Sequence, residues 1–142
     1  MNEIIRCDAN DFPALAGIWE RSVRATHTFL SEDDISEIRE ALIPLYFPAV
    51  DIYGILSNGS VAGFIGLSEK KIEMLFVDDA FRGKGLGSAL ISHALSLGAG
   101  SVDVNEQNLS ALEFYKAKGF RIISRDGHDP AGRPFPILHL SL

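Results

Sequence analysis

The segment Arg82-Gly83-Lys84-Gly85-Leu86-Gly87 puts three glycines and two cations into six residues. Glycines let the backbone curl so that successive N–H groups converge on one spot. An apolar run precedes the segment and a helically spaced run follows it, so a helix N-terminus adds its positive end at the same spot. Such a loop suits a pyrophosphate. The triphosphate signature GxxxxGK[ST] is absent. The dinucleotide spacing GxGxxG fails too, because the sixth position is Ser88 counted from Gly83 and Leu90 counted from Gly85. Taken alone, the loop is equally a glycine-rich turn that joins a strand to a helix. Two side chains elsewhere carry acid–base potential. Glu73 is a carboxylate in the apolar run before the loop, where burial would raise its pKa toward a useful range. His27 has the intrinsic pKa nearest neutrality.

The elements that would position these groups alternate along the chain. Glu3–Cys7 is β-capable. Asp11 and Pro13 open a helix with Phe12, Leu15, Trp19 and Val23 on one stripe. Ser31 opens a second, acidic at its start (Glu32, Asp33, Asp34), and Pro44 is expected to end it. Asn58-Gly59 between two β-like runs, 52–56 and 61–67, signals a hairpin. Ile72 to Val77 forms a third run, in which Glu73, Leu75 and Val77 should share a face. Leu86, Leu90, Ile91, Ala94 and Leu95 mark a helix that Gly98 stops. A short strand at 101–104 follows. Asn108 caps a last helix that Gly119 stops, and two strands, 120–124 and 136–140, close the chain. This alternation argues for an α/β or α+β layer architecture.

With 142 residues, the chain has the length of one domain and is long enough to bury a core without disulfides or metals. It is 46% hydrophobic and 23% charged, which excludes general disorder. The net charge of −6 argues against nucleic-acid binding, which needs a surplus of Lys and Arg. The single cysteine, Cys7, allows no internal disulfide, and four scattered histidines show no metal-ligand spacing. No apolar run is long enough to span a membrane, and the start MNEIIRCDAND does not read as a secretory signal. A cytoplasmic protein is expected.

The loop R-x-x-G-x-G (Arg82, Gly85, Gly87), followed by Asn108-x-x-Ala111-x-x-x-Tyr115-x-x-x-Gly119-Phe120, resembles the GCN5-related N-acetyltransferases. Within them, Trp19-x-x-Ser22-Val23-x-Ala25-Thr26-His27-x-Phe29-Leu30, Asn105-Glu-Gln-Asn108, Phe114-Tyr115-Lys116 and Gly132-x-Pro134-x-Pro136 look like the bacterial YjaB-type acetyltransferases. The resemblance covers nearly the whole chain. It implies one N-acetyltransferase domain over residues 1–142, with a mixed, mostly antiparallel sheet of about seven strands flanked by about four helices. It also implies acetyl-CoA as cosubstrate. Arg82, Gly83, Lys84, Gly85, Leu86, Gly87 and Ser88 would hold its pyrophosphate, Leu75, Phe76 and Val77 would pair their backbone with its pantetheine, and Asn108 and Tyr115 would lie beside the thioester. The implied acceptor is a primary amine, a protein lysine for the YjaB-type group, and the implied assembly is a monomer or weak dimer without nucleic-acid or membrane partners.

Acetyl transfer to an amine must deprotonate the amine, hold a tetrahedral oxyanion and protonate the leaving thiolate. A free lysine is neutral so rarely at pH 7 that the handicap is roughly 4.6 kcal/mol. By resemblance Tyr115 is the general acid. A strand N–H near Leu75–Val77 would serve the oxyanion. For the base, Glu73, His27 and Asp103 stay open in that order, Asp103 because some ribosomal-protein acetyltransferases of the family carry an acid at that place. Two other readings also remain at this point: a non-catalytic acyl-CoA sensor on the same fold, and a small-molecule amine acetyltransferase.

Overall fold

A computed structural model describes residues 2–142. Seven strands, β1 (Ile4–Arg6), β2 (Asp51–Ser57), β3 (Ser60–Ser68), β4 (Lys71–Val77), β5 (Ser101–Asn105), β6 (Arg121–Asp126) and β7 (Ile137–Ser141), form one sheet in the order β1-β2-β3-β4-β5-β7-β6. Four α-helices flank it: α1 (Phe12–Thr26), α2 (Glu32–Ala41), α3 (Leu86–Ser96) and α4 (Leu109–Ala117). Every strand pairing is antiparallel except β4 with β5. The mixed architecture, the element count and the element order are those expected.

The apolar spacing of the helices decides the layers. Leu15, Ile18, Trp19 and Val23 of α1, with Ile35 of α2, bury against Ile52 and Phe64 on one face of the sheet. Leu86, Leu90, Ile91 and Ala94 of α3, with Tyr115 of α4, bury against Ile55, Ile65, Val102 and Leu140 on the other.

Two local expectations fail. Pro44 does not end the second helix, because the chain continues from α2 into one wide turn, Leu42–Tyr46, closed by the Phe47 N–H on the Leu42 carbonyl at 2.7 Å. Spacing of this π type leaves room for a residue that cannot donate. Asp11 does not cap α1 with its side chain. It accepts the Asp8 N–H at 2.9 Å, while Asp8 accepts from Asn10, so the cap serves the single turn ahead of α1.

The feature that shapes the centre of the molecule is in β4. Leu67 faces Ile72 and Gly66 faces Met74, so Glu73 has no partner on β3 and forms a β-bulge. Pairing with β5 stops at the same point, after Lys71↔Ser101 and Ile72↔Val102. Beyond it the two strands part. The bulge also resets which side chains face which layer: Ile72 packs toward α3 and α4, whereas Met74 packs toward α1 and α2. The extra residue interrupts the strict alternation from which the grouping of Glu73 with Leu75 and Val77 is expected.

Candidate active site

The parting of β4 and β5 opens a cleft of about 340 Å³ through the sheet. Its near wall is the freed edge of β4. Asp78 donates its N–H to Ala62 on β3. By strand alternation, the N–H and C=O groups of Leu75 and Val77 then point away from β3, into the cleft. An unpaired strand edge inside a protein is a row of donors and acceptors waiting for an extended partner.

At its far end β4 is tied down by an ion pair. Asp78 is 8% exposed. Arg21 on α1 donates to it through Nε at 3.0 Å and Nη2 at 2.9 Å. This guanidinium holds the Asp78 carboxyl below its usual range. The chain then turns through Asp79–Phe81 into the glycine loop. Gly85 begins α3 with φ 78°, the left-handed region, and no side chain caps the helix. The Gly85 carbonyl takes the Ala89 N–H, so the N–H groups of Leu86, Gly87 and Ser88 are left without helical partners. Those orphan donors, at the positive end of an eleven-residue helix, fit a phosphate group.

The candidate residues divide by location. His27, Glu73, Leu75, Phe76, Val77, Arg82, Gly87, Asp103, Asn108 and Tyr115 all line the cleft. Gly83, Lys84, Gly85, Leu86 and Ser88 do not. Gly83 and Gly85 are needed for positive φ, since nothing lies within 4 Å of either position's Cβ. The Leu86 side chain belongs to the core at 3% exposure, leaving only its backbone for the loop. Lys84 sits over the Phe81 ring at 5.4 Å and Arg82 pairs with Asp79 at 3.1 Å. Ser88 accepts from Lys118 at 2.8 Å, a cation that sequence reasoning missed.

Tyr115 is buried, its ring edge-on to Phe114 at 5.3 Å and Phe120 at 5.5 Å. Core packing and cleft lining therefore coexist in one side chain. Burial pushes its phenol well above the ordinary value, so the hydroxyl is protonated at neutral pH. The dry surroundings raise the proton affinity of any thiolate placed beside it as well, which keeps donor and acceptor matched.

The three base candidates fare differently. Glu73 is half exposed, 3.8 Å from Lys71 Nζ, so the burial expected of it is absent. It lines this cleft and also a second one of about 460 Å³ on the α1–α2 side of β4, walled by Trp19, Ile38, Leu42, Tyr46 and Phe76. His27 is half-buried and fully hydrogen-bonded: Nδ1 meets Thr26 Oγ1 at 2.8 Å and Nε2 meets Asn108 Nδ2 at 3.2 Å. No lone pair of its ring is free. Asp103 is engaged on both oxygens, by Lys71 at 2.6 Å and by His139 Nδ1 at 2.6 Å.

His139 also meets Asp126 through Nε2 at 2.6 Å, so a Lys71–Asp103–His139–Asp126 ladder crosses β4, β5, β7 and β6. The two carboxylates, Asp126 first, raise the His139 pKa. A raised value in the folded state means that the stability gain is complete below the unfolded value of about 6.5 and is lost as pH rises through the folded one. The melting temperature of the parent should therefore fall relative to His139→Asn as pH rises from about 6.5 into the alkaline range. A constant difference across that range would remove the ladder's charge from the account.

A model of the acetyltransferase (GNAT) domain matches residues 25–130. The peptidyl-lysine N-acetyltransferase YjaB of Salmonella typhimurium is 39% identical over 128 residues, 89% of this chain and 88% of that protein. The solution structure of apo YjaB from Escherichia coli superposes with a TM-score of 0.91 at 35% identity, over 99% of this chain and 97% of that one. The PaiA N-acetyltransferase of Thermoplasma acidophilum, solved in complex with coenzyme A, shares the fold with a TM-score of 0.78 at 20% identity, over 100% of this chain and 99% of that one. With an open β4 edge, an uncapped glycine-led helix and a matching family model over most of its length, the chain belongs to the GNAT family of N-acetyltransferases.

Proposed function

We propose that residues 1–142 act as one domain that moves the acetyl group of acetyl-CoA to the ε-amine of a protein lysine by direct attack on the thioester. One observation carries this reading: the β4 edge is unpaired beyond Ile72 and leads directly to the uncapped start of α3. An extended chain bearing amides and ending in a pyrophosphate, as pantetheine does in coenzyme A, complements such an edge followed by such a helix start. The YjaB relatives act on peptidyl lysine, and their likeness spans 89% of this chain. Leu75 to Val77 would hold the pantetheine. The loop Arg82 to Ser88 would hold the pyrophosphate through its backbone, and Asn108 would contact the cosubstrate from the other wall.

Tyr115 is the proposed acid. Glu73 is the proposed base, because among the residues lining both clefts it alone is ionisable. The second cleft would take the acceptor. Its walls of Trp19, Leu42 and Phe76 suit the aliphatic stem of lysine, with the amine arriving at Glu73. The acidic start of α2 contributes less attraction than its sequence suggests. Glu32 is bound by Arg24, Asp34 closes the capping box with Ser31, and Glu37 pairs with Arg133.

The test is a panel of lysine peptides, polyamines and amino-sugars with acetyl-CoA, followed by free-thiol release and mass spectrometry of the peptides. Lysine peptides should be acetylated on Nε, with only a shallow loss of kcat/KM as salt rises. Rapid turnover of a small amine with inert peptides would overturn the lysine acceptor and leave the acetyl transfer standing.

A further inference from the structure

Asn108 is held from two distant parts of the chain. Its Oδ1 accepts the Ala111 N–H at 3.2 Å and so caps α4. A backbone N–H can only donate, so this bond fixes which end of the amide is oxygen. The Nδ2 end therefore faces His27 and donates to Nε2 at 3.2 Å. Nε2 must be bare. The proton of the neutral ring then sits on Nδ1 and is donated to Thr26 Oγ1 at 2.8 Å, and the Thr26 hydroxyl donates to the Ser22 carbonyl at 2.8 Å. One directed chain of hydrogen bonds runs from Ala111 to Ser22. It bridges the C-terminal end of α1, where His27 is the cap residue, to the N-terminal end of α4.

We infer that His27 is a positioning residue: as the neutral Nδ1–H tautomer it orients the Asn108 amide and thereby the start of α4, the helix that carries Tyr115. This inference rests on the reading of the cleft proposed above. The second Nδ2 proton of Asn108 stays free for the cosubstrate. A proton added at Nε2 would set a donor against a donor. The contact then breaks, or the amide turns and deprives Ala111 of its acceptor, and either change releases the helix start.

The groups facing the ring are Ser22 and Thr26 from α1, Phe29 from the loop after it at a centroid distance of 5.4 Å, Phe76 from β4 at 6.4 Å, and Asn108 from α4. The charged side chains of the same cleft are Glu73, Arg82 and Asp103. Burial, rather than any of these charges, holds the ring below its ordinary pKa. The neutral tautomer is thus the resting form at and above neutral pH.

Two variants and a spectrum test the inference. His27→Phe removes the acceptor, and kcat/KM should fall about tenfold near pH 8. His27→Gln offers a carbonyl oxygen that accepts from Asn108 and does not titrate, so it should recover about threefold of that loss. The ratio of parent to His27→Gln cancels the titration of the amine substrate. It should be level near and above neutral pH and fall on the acid side, with the midpoint at which the ring itself takes up a proton. In the free protein, nitrogen-15 spectra at neutral pH should show Nδ1 protonated and Nε2 bare, and the Asn108 side-chain amide should shift with the same midpoint as the ring. An Nε2–H tautomer, a ratio that stays level through the ring's own titration, or equal activity of the two variants would overturn the positioning role. A parent that acetylates no amine would instead overturn the functional reading, and the spectra would still decide the state of His27.

Discussion

Tyr115→Phe is expected to lower kcat by about 10²–10⁴ while changing the KM for acetyl-CoA little. The substitution removes one hydroxyl and keeps the ring that packs against Phe114 and Phe120. No group among the described residues bonds that hydroxyl in the free protein, so folding loses no hydrogen bond and the melting temperature should hold or rise. A stable, cofactor-binding, slow enzyme is the signature of a lost proton donor. An unchanged kcat, with chemistry shown to limit turnover, would take Tyr115 out of the mechanism.

Gly87→Val should abolish the stabilisation that acetyl-CoA confers. Saturation at about a hundred times Kd is worth about 2.7 kcal/mol to the parent. Gly87 lies in the first turn of α3 and lines the cleft, where its missing side chain leaves the helix start open. A Cβ there meets nothing closer than Phe114 at 3.6 Å, so the variant folds. Valine also tolerates a helix better than glycine does. Gly85→Ala behaves differently. Its φ of 78° would cost an L-residue about 1–2 kcal/mol, lowering the melting temperature even without ligand. Comparing the two separates space for the ligand from backbone strain. Equal shifts by acetyl-CoA in parent and Gly87→Val would refute the anion site.

The glycine loop and the Asn108 to Tyr115 spacing were legible because each works within one stretch of chain. A loop that must reach positive φ twice shows its glycines, and a cap seven residues ahead of a buried tyrosine shows its helix face. Glu73 was legible as a carboxylate in an apolar run but not as a bulge. A bulge exists only in the register between two strands, and one extra residue is invisible until the partner is known. The state of His27 depended on Asn108, 81 residues away, whose amide is itself oriented by Ala111. Asp103 looked like a free acid because nothing local marks Lys71 and His139 as its neighbours across the sheet. Proline at 44 misled for a subtler reason: its usual effect is argued for α spacing, and the chain escapes by widening the turn.

The brief seam between β4 and β5 also bears on how the chain is made. Up to Val77 the strands β1 to β4 form a run of antiparallel neighbours, with α1 and α2 covering one face. Once α3 has been synthesised, the other face is covered too. Strands β5, β7 and β6 then assemble among themselves and join the earlier layer through the two pairs Lys71↔Ser101 and Ile72↔Val102. The β2-β3-β4 meander pairs strands adjacent in sequence, and such local pairing favours fast formation of this part. A nascent chain paused near the end of α3 would already hold most of one core, with β4 as its exposed rim. That rim is the surface a ribosome-bound intermediate would offer to a chaperone until β5 arrives to claim its first two residues.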